Sequence, residues 1–202
     1  MIKKIKVLTI IVFSAFIGFT QDFTSNGWIQ FQNEKVQKFE ISESCDFEID
    51  NYTFYVILDD KLIYDKNENR YYPGIRSLKI TNNGRIVNII EGIVDKIGHG
   101  TIKFSFYDYN FDGYLDFTLP KDCVKSCYVR YYLFIPTENK FQHFNKWDYL
   151  RIQRINKEKK QILTQPDGTA TDGWQKLYQV KGNELIELEK IVYGEFFKEI
   201  EK

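Results

Sequence analysis

The pattern of apolar and polar positions predicts strands along almost the whole chain. Ile102, Phe104 and Phe106 alternate with Lys103, Ser105 and Tyr107, the period of two expected of a strand with one buried face. Residues 53–58 form a continuous apolar run, and Asp59-Asp60 reads as a turn into 61–64. Strands over 78–81 and 85–90 flank Asn82-Asn83-Gly84, residue types that tolerate positive φ and so close tight hairpins. Strands over 128–135 and 140–144 are joined by Pro136-Thr137-Glu138-Asn139, and those over 174–180 and 184–192 by Lys181-Gly182-Asn183. Residues 157–160 are a charge-rich turn, and only 194–202 reads as a short C-terminal helix.

Parallel strands would need long amphipathic helices between them, and the pattern holds none. The expected fold is mainly β, an antiparallel β-sandwich or a propeller-like sheet assembly. Residues 21–50 are polar enough to be either a loose arm or the first edge strands. No low-complexity linker interrupts the chain, so one β-rich domain over 21–202 is expected.

The first 20 residues break this pattern. Lys3, Lys4 and Lys6 precede an uncharged apolar run over 7–19, shorter than the roughly 20 residues of a membrane-spanning helix. Gly18 and Thr20 are small residues at signal-peptidase spacing, so residues 1–20 read as a signal peptide cleaved before Gln21. Cleavage removes three lysines and no acid, leaving 25 Lys and Arg against 28 Asp and Glu. That balance argues against nucleic-acid binding, which draws its affinity from a basic excess. No cysteine sits at the end of the apolar run and no later stretch is long enough to anchor in a membrane, so a periplasmic or secreted protein is expected.

Export permits a disulfide among Cys45, Cys123 and Cys127. Cys123 and Cys127 lie in a short polar segment, 121–126 and its flank, that reads as a loop between strands, which makes this pair the first candidate. Pairing of Cys45 with either of the others closes a longer loop and stays open as the alternative.

The stretch with chemistry in it is Asp108-Tyr109-Asn110-Phe111-Asp112-Gly113-Tyr114-Leu115-Asp116. Oxygen-bearing side chains stand at loop positions one, three, five and nine (Asp108, Asn110, Asp112, Asp116), with glycine at six. Calcium takes about six to eight oxygens, and a curled backbone lets alternate residues converge on one point. Tyr114 offers its backbone carbonyl and Asp116 closes the shell, directly or through water. The loop departs from an EF-hand because Leu119 stands where the bidentate glutamate would, and because strands rather than helices flank it. A weaker or more hydrated Ca²⁺ site, suited to an extracellular setting, is the expectation. The plain alternative is a polar hairpin turn, since Asp, Asn and Gly also favour turns.

Little else suggests catalysis. His99 sits in Gly98-His99-Gly100 and reads as a solvated loop residue, and His143 as a surface or edge residue. No nucleophile motif or phosphate-cradling loop is present, so a non-enzyme is expected. Carboxylates paired for glycoside hydrolysis would show only in three dimensions. Tyr71-Tyr72 and Tyr131-Tyr132 read as exposed rings able to meet a protein partner or stack on sugars.

Taken in order, 85–91, the Asp108–Phe117 segment, 131–141 (YYLFIPTENKF) and 178–185 (YQVKGNEL) carry a resemblance across residues 78–192. The chain resembles a family of exported, calcium-dependent proteins of Gram-negative bacteria. Members of that family act as immunity proteins against peptidoglycan-cleaving effectors and look like periplasmic inhibitors of invertebrate-type lysozyme. The resemblance implies Asp108, Asn110, Asp112 and Asp116 as calcium ligands, and a cell-wall hydrolase as protein partner. Tyr132-Leu133-Phe134-Ile135 departs from the family's Trp-Leu-Tyr-Asp, and the three cysteines lie outside the resemblance. A secreted carbohydrate- or surface-binding module with structural calcium, or a calcium-dependent hydrolase, would be the alternatives.

Overall fold

A computed structural model describes Phe23 and residues 26–59, 63–65, 70–72, 74–94, 101–123, 127–168 and 172–193. Residues 1–20, read above as a signal peptide, His99 and the expected helix over 194–202 lie outside these residues. In chain order the first strands are β1 (Ile29–Gln30), β2 (Gln37–Ile41), β3 (Cys45–Ile49), β4 (Tyr52–Leu58), β5 (Ile63–Asp65) and β6 (Arg70–Tyr72). Next come β7 (Gly74–Asn82), β8 (Arg85–Val94), β9 (Ile102–Tyr107), β10 (Asp116–Cys123), β11 (Cys127–Ile135) and β12 (Lys140–His143). The last are β13 (Ile152–Asn156), β14 (Gln161–Thr164), β15 (Asp167–Gly168), β16 (Gly173–Lys181) and β17 (Glu184–Tyr193). Helical structure among the described residues is confined to 3-10 turns at Phe31–Asn33 and Asn145–Trp147. None of it is long and apolar enough to cross a membrane.

The chain is mainly β and every described strand pairing is antiparallel. One four-stranded sheet runs β3-β4-β7-β8 and a five-stranded sheet β12-β11-β10-β9-β2. A six-stranded sheet runs β1-β13-β14-β16-β15, with β17 on the other side of β16, and β5 pairs with β6 apart from these. The hairpin turns fall where Asn83-Gly84, Pro136–Asn139 and Gly182-Asn183 predict them.

The sheets stack as layers with the five-stranded sheet between the other two. One core joins Phe47, Phe54, Val56, Leu78 and Ile80 of the four-stranded sheet to Phe104, Phe106, Phe117, Tyr132 and Phe134. On the opposite face of the same five-stranded sheet, Tyr131 and Leu133 pack with Trp147, Ile155, Ile162 and Val180. Tyr131-Tyr132 therefore corrects the reading of exposed tyrosines, because the two rings are buried on opposite faces of β11. Tyr132 stacks on Phe117 with centroids 4.6 Å apart. Apolar residues in succession are what a strand covered on both sides requires. The run in β4 is different: Phe54 and Val56 are buried, while Tyr55 and Ile57 face solvent.

Residues 21–50 resolve toward edge strands where they are described. β2 lines the open side of β9 and β3 that of β4. Ahead of them Trp28 packs on Leu163 and Leu177, on the outer face of the six-stranded sheet. Asn156 Nδ2 donates to the Asn26 carbonyl over the left-handed Gly27, φ 82°. The Asn88 side chain ties the first two layers: its Nδ2 donates to the Phe141 carbonyl, and its Oδ1 accepts the Phe141 N–H at 2.6 Å.

Phe54→Ala removes a fully buried ring and is expected to cost about 3–5 kcal/mol. Ile57→Thr, on the open face of the same strand, should cost no more than about 0.5 kcal/mol. Urea unfolding of the two variants checks this assignment of faces; equal losses would contradict it.

Candidate metal centre

The loop connects β9 to β10, with Tyr107 paired opposite Asp116 at its mouth. It turns through left-handed conformations at Phe111, φ 59°, and Gly113, φ 88°. No atom lies within 4 Å of where a Cβ on Gly113 would sit, so glycine answers a backbone requirement there and not a steric one.

Its acidic side chains draw the backbone inward. Asp108 Oδ1 accepts the Asp112 N–H at 3.0 Å and Oδ2 the Gly113 N–H at 2.9 Å. Asp112 Oδ1 accepts the Tyr114 N–H, and its Oδ2 accepts Asn110 Nδ2, both at 2.9 Å. Asn110 Oδ1 accepts the Asp112 N–H at 3.3 Å. The three side chains at positions one, three and five thus belong to one turn, with the Tyr114 backbone at its exit.

Asp116 is placed differently. It is fully buried, its Oδ2 accepts the Tyr109 N–H and its Oδ1 the Phe134 N–H, each at 2.8 Å. β11 runs past the end of its pairing with β10 at Phe117–Tyr132, and the carboxylate supplies the acceptor that a longer β10 would have given Phe134. The same side chain holds the loop through Tyr109, whose buried ring packs edge-on to Tyr131 at 5.0 Å. Among the described residues no three His, Cys, Asp or Glu side chains form a ready metal cluster, consistent with Asp116 turning into the fold.

Burial pushes the Asp108 carboxyl up, and the Asp112 charge adds to this; the N–H groups of Gly113 and Asp112 only partly offset it. Asp116 is driven well above the usual carboxylate range, first by burial and then by the charges of Asp112 and Asp108, against the N–H groups of Phe134 and Tyr109. None of these three acids has a salt bridge among the described residues. Lys157 shares the cleft beside Asp108 and Asp112, but it is held at 2.6 Å by Glu34. The result is a concentration of carboxylate and amide oxygens on one turn, the donor type that a hard cation takes.

The sequence did not reveal how far this loop is wired into the rest. Asn110 Nδ2 also donates to Asn183 Oδ1 at 2.7 Å, in the β16–β17 turn, and Trp147 Nε1 donates to the Asn183 carbonyl at 2.9 Å. Pairing over 73 residues of chain leaves no local signal. Asp148 is another case: it is buried, 2.8 Å from His143 Nε2 on edge strand β12 and 3.0 Å from Lys121 Nζ on β10. His143 is thus an edge residue, and it is also clamped. Burial raises the Asp148 carboxyl, but the hydrogen bonds and charges of His143 and Lys121 outweigh that and hold it low.

Residues 121–123 continue β10 and correct the reading of 121–126 as a loop. Cys123 lies in register opposite Cys127, Cys127 is disulfide-bonded, and Cys45 carries a free, half-buried thiol. Burial, aided by Asp46 and Glu43, pushes the Cys45 thiol up and away from reactivity.

No family model, curated protein or solved structure matches the chain.

Asp116→Asn turns an amide N–H₂ toward one of two backbone N–H groups. A loss of about 1–3 kcal/mol is expected, with or without EDTA, in denaturant titrations. For Asp148 the lowered folded value means that its stabilisation is present above the unfolded carboxylate range and is lost as pH falls below it. Asp148→Asn should therefore destabilise by about 2 kcal/mol at pH 7, with the gap to wild type closing toward about pH 3. A pH-independent gap in thermal midpoints would refute that.

Proposed function

We propose that this chain is an exported, non-enzymatic, calcium-stabilised β-protein that inhibits, or gives immunity to, a lysozyme-type peptidoglycan-cleaving glycosidase. Ca²⁺ is held by the side chains of Asp108, Asn110 and Asp112 and the Tyr114 carbonyl, while Asp116 anchors the turn from within the fold. The observation that carries this reading is the loop itself: the side-chain oxygens of Asp108, Asn110 and Asp112 gathered on one turn, on a mount fixed by Asp116 to β11. The all-oxygen donor set suits calcium, and exported modules with dissociation constants near 10⁻⁴–10⁻³ M remain occupied outside the cytosol. A bound cation would remove the repulsion among the three acids and hold the turn in one shape. An inhibitor that inserts a loop into a glycosidase cleft gains affinity from such rigidity, because less freedom is lost on binding.

The resemblance across residues 78–192 supplies the partner class. Cleavage before Gln21 would release the protein into the periplasm or medium. There a Cys123–Cys127 cross-link, favoured by their register, would restrain the β10–β11 connection.

At about 10 mM Ca²⁺ such affinities stabilise by about 1.4–2.7 kcal/mol, or about 3–10 °C in thermal midpoint. The mature protein should show this gain, lose it in EDTA, and lose it with Asp112→Ala; a calcium response surviving that substitution refutes the ligand set. Turbidity assays of peptidoglycan lysis by a panel of lysozyme-type enzymes test the inhibitory role, and lysis undiminished across the panel would reject it.

A further inference from the structure

The geometry points to a binding site for a neutral saccharide in a groove where the six-stranded sheet extends beyond the second core. This goes beyond the calcium reading and does not rest on it. Trp174, Lys176 and Tyr178 occupy alternate positions on β16. Further along that strand Val180 is buried in the core against the five-stranded sheet. Toward Trp174 the covering layer ends, and a groove of about 260 Å³ opens between β16 and the segment leading into β13.

Aromatic rings wall this space. Tyr128 and Tyr149 meet edge to face at 5.4 Å, and Tyr149 is 66% exposed. Trp174 and Tyr178 stand across from them in the same groove, only partly covered. Three cations steady the rings: Lys121 lies 4.4 Å from the centre of Tyr149, Arg151 5.8 Å from Tyr128 and Lys190 4.9 Å from Trp174. Large aromatic surface left open to water in a concave site asks for a ligand with apolar faces.

The polar groups narrow the class. Arg151 Nη2 lies 3.6 Å from Asp167 and donates to the Pro166 carbonyl at 3.0 Å. Lys176 pairs with Glu187 at 2.7 Å. The two cations of the lining, Arg151 and Lys176, each have an acid beside them, so the groove lacks the basic excess that a nucleic acid or polyanion would require. What remains is donors and acceptors side by side, from Arg151, Asp167, Thr164 and Gln165, next to aromatic faces. A pyranose presents just that combination, hydroxyls at its rim and C–H groups on its face. The volume lies below the roughly 300 Å³ where drug-sized pockets begin, which suits one or two sugar rings and not a folded partner.

The test uses the full mature chain and its own fluorophore. Trp28 and Trp147 are buried, so a ligand in the groove reports through Trp174. Chitotetraose, cellotetraose, xylotetraose and mannotetraose are titrated separately, with polygalacturonate and oligo-dT as anionic comparisons. Saturable change with at least one neutral tetrasaccharide is expected, weakened about tenfold or more by Tyr149→Ala and by Asp167→Ala. Both side chains are largely exposed, so these variants keep the wild-type thermal midpoint within about 2 °C. Asp112→Ala should leave the titration unchanged, which separates this site from the loop. No response to any neutral tetrasaccharide, response to the polyanions alone, or unaltered affinity in Tyr149→Ala each overturns the assignment.

Discussion

Tyr131 and Leu133 of β11 pack against one layer while Tyr132 and Phe134 pack against the other, so the five-stranded sheet can exist only with a partner on each side. The remaining architecture follows from meeting that demand twice. The four-stranded sheet covers one face with phenylalanines, whose rings meet mostly edge to face as their quadrupoles prefer. The six-stranded sheet covers the other with Trp147, Ile155 and Ile162. Because it reaches past the middle layer, its inner face changes from core to open groove within a few residues of β16.

The loop between β9 and β10 sits at the end of this middle layer and is bound to all that surrounds it. Asp116 reaches β11, Tyr109 enters the second core, and Asn110 meets the β16–β17 turn through Asn183. A buried carboxylate pressed by two neighbouring charges costs stability unless something positive answers it. Here the backbone N–H groups of Tyr109 and Phe134 offset part of that cost.

Strand positions and tight turns were legible because they rest on local chemistry: Asn83, Gly84 and Gly182 take the positive φ their residue types tolerate. Faces were less so. The apolar runs of β4 and β11 look alike in sequence, yet Tyr55 and Ile57 face water while every residue over 131–135 is buried. The difference is set by which layer lies beyond, a long-range fact. The loop's oxygen pattern was visible from spacing alone. The division of labour within it was not, because Asp116 gains its role from Phe134, 18 residues away. The groove at Tyr149 and Trp174 was missed for the same reason, being assembled from segments that are distant in sequence.

Asn88 shows how the stack avoids an associative hazard common in proteins built of open sheets. Strand β12 ends the middle layer, and the free N–H and carbonyl of such a strand are a template on which another chain can build. By engaging both polar groups of Phe141, the Asn88 amide imitates a neighbouring strand and blocks that template. At the far boundary β17 is long and has exposed Ile186 and Leu188. There Glu184, Glu187, Glu189 and Lys190 interrupt the apolar surface with charge. One edge is answered by mimicry and another by charge, two different devices against pairing with a second chain.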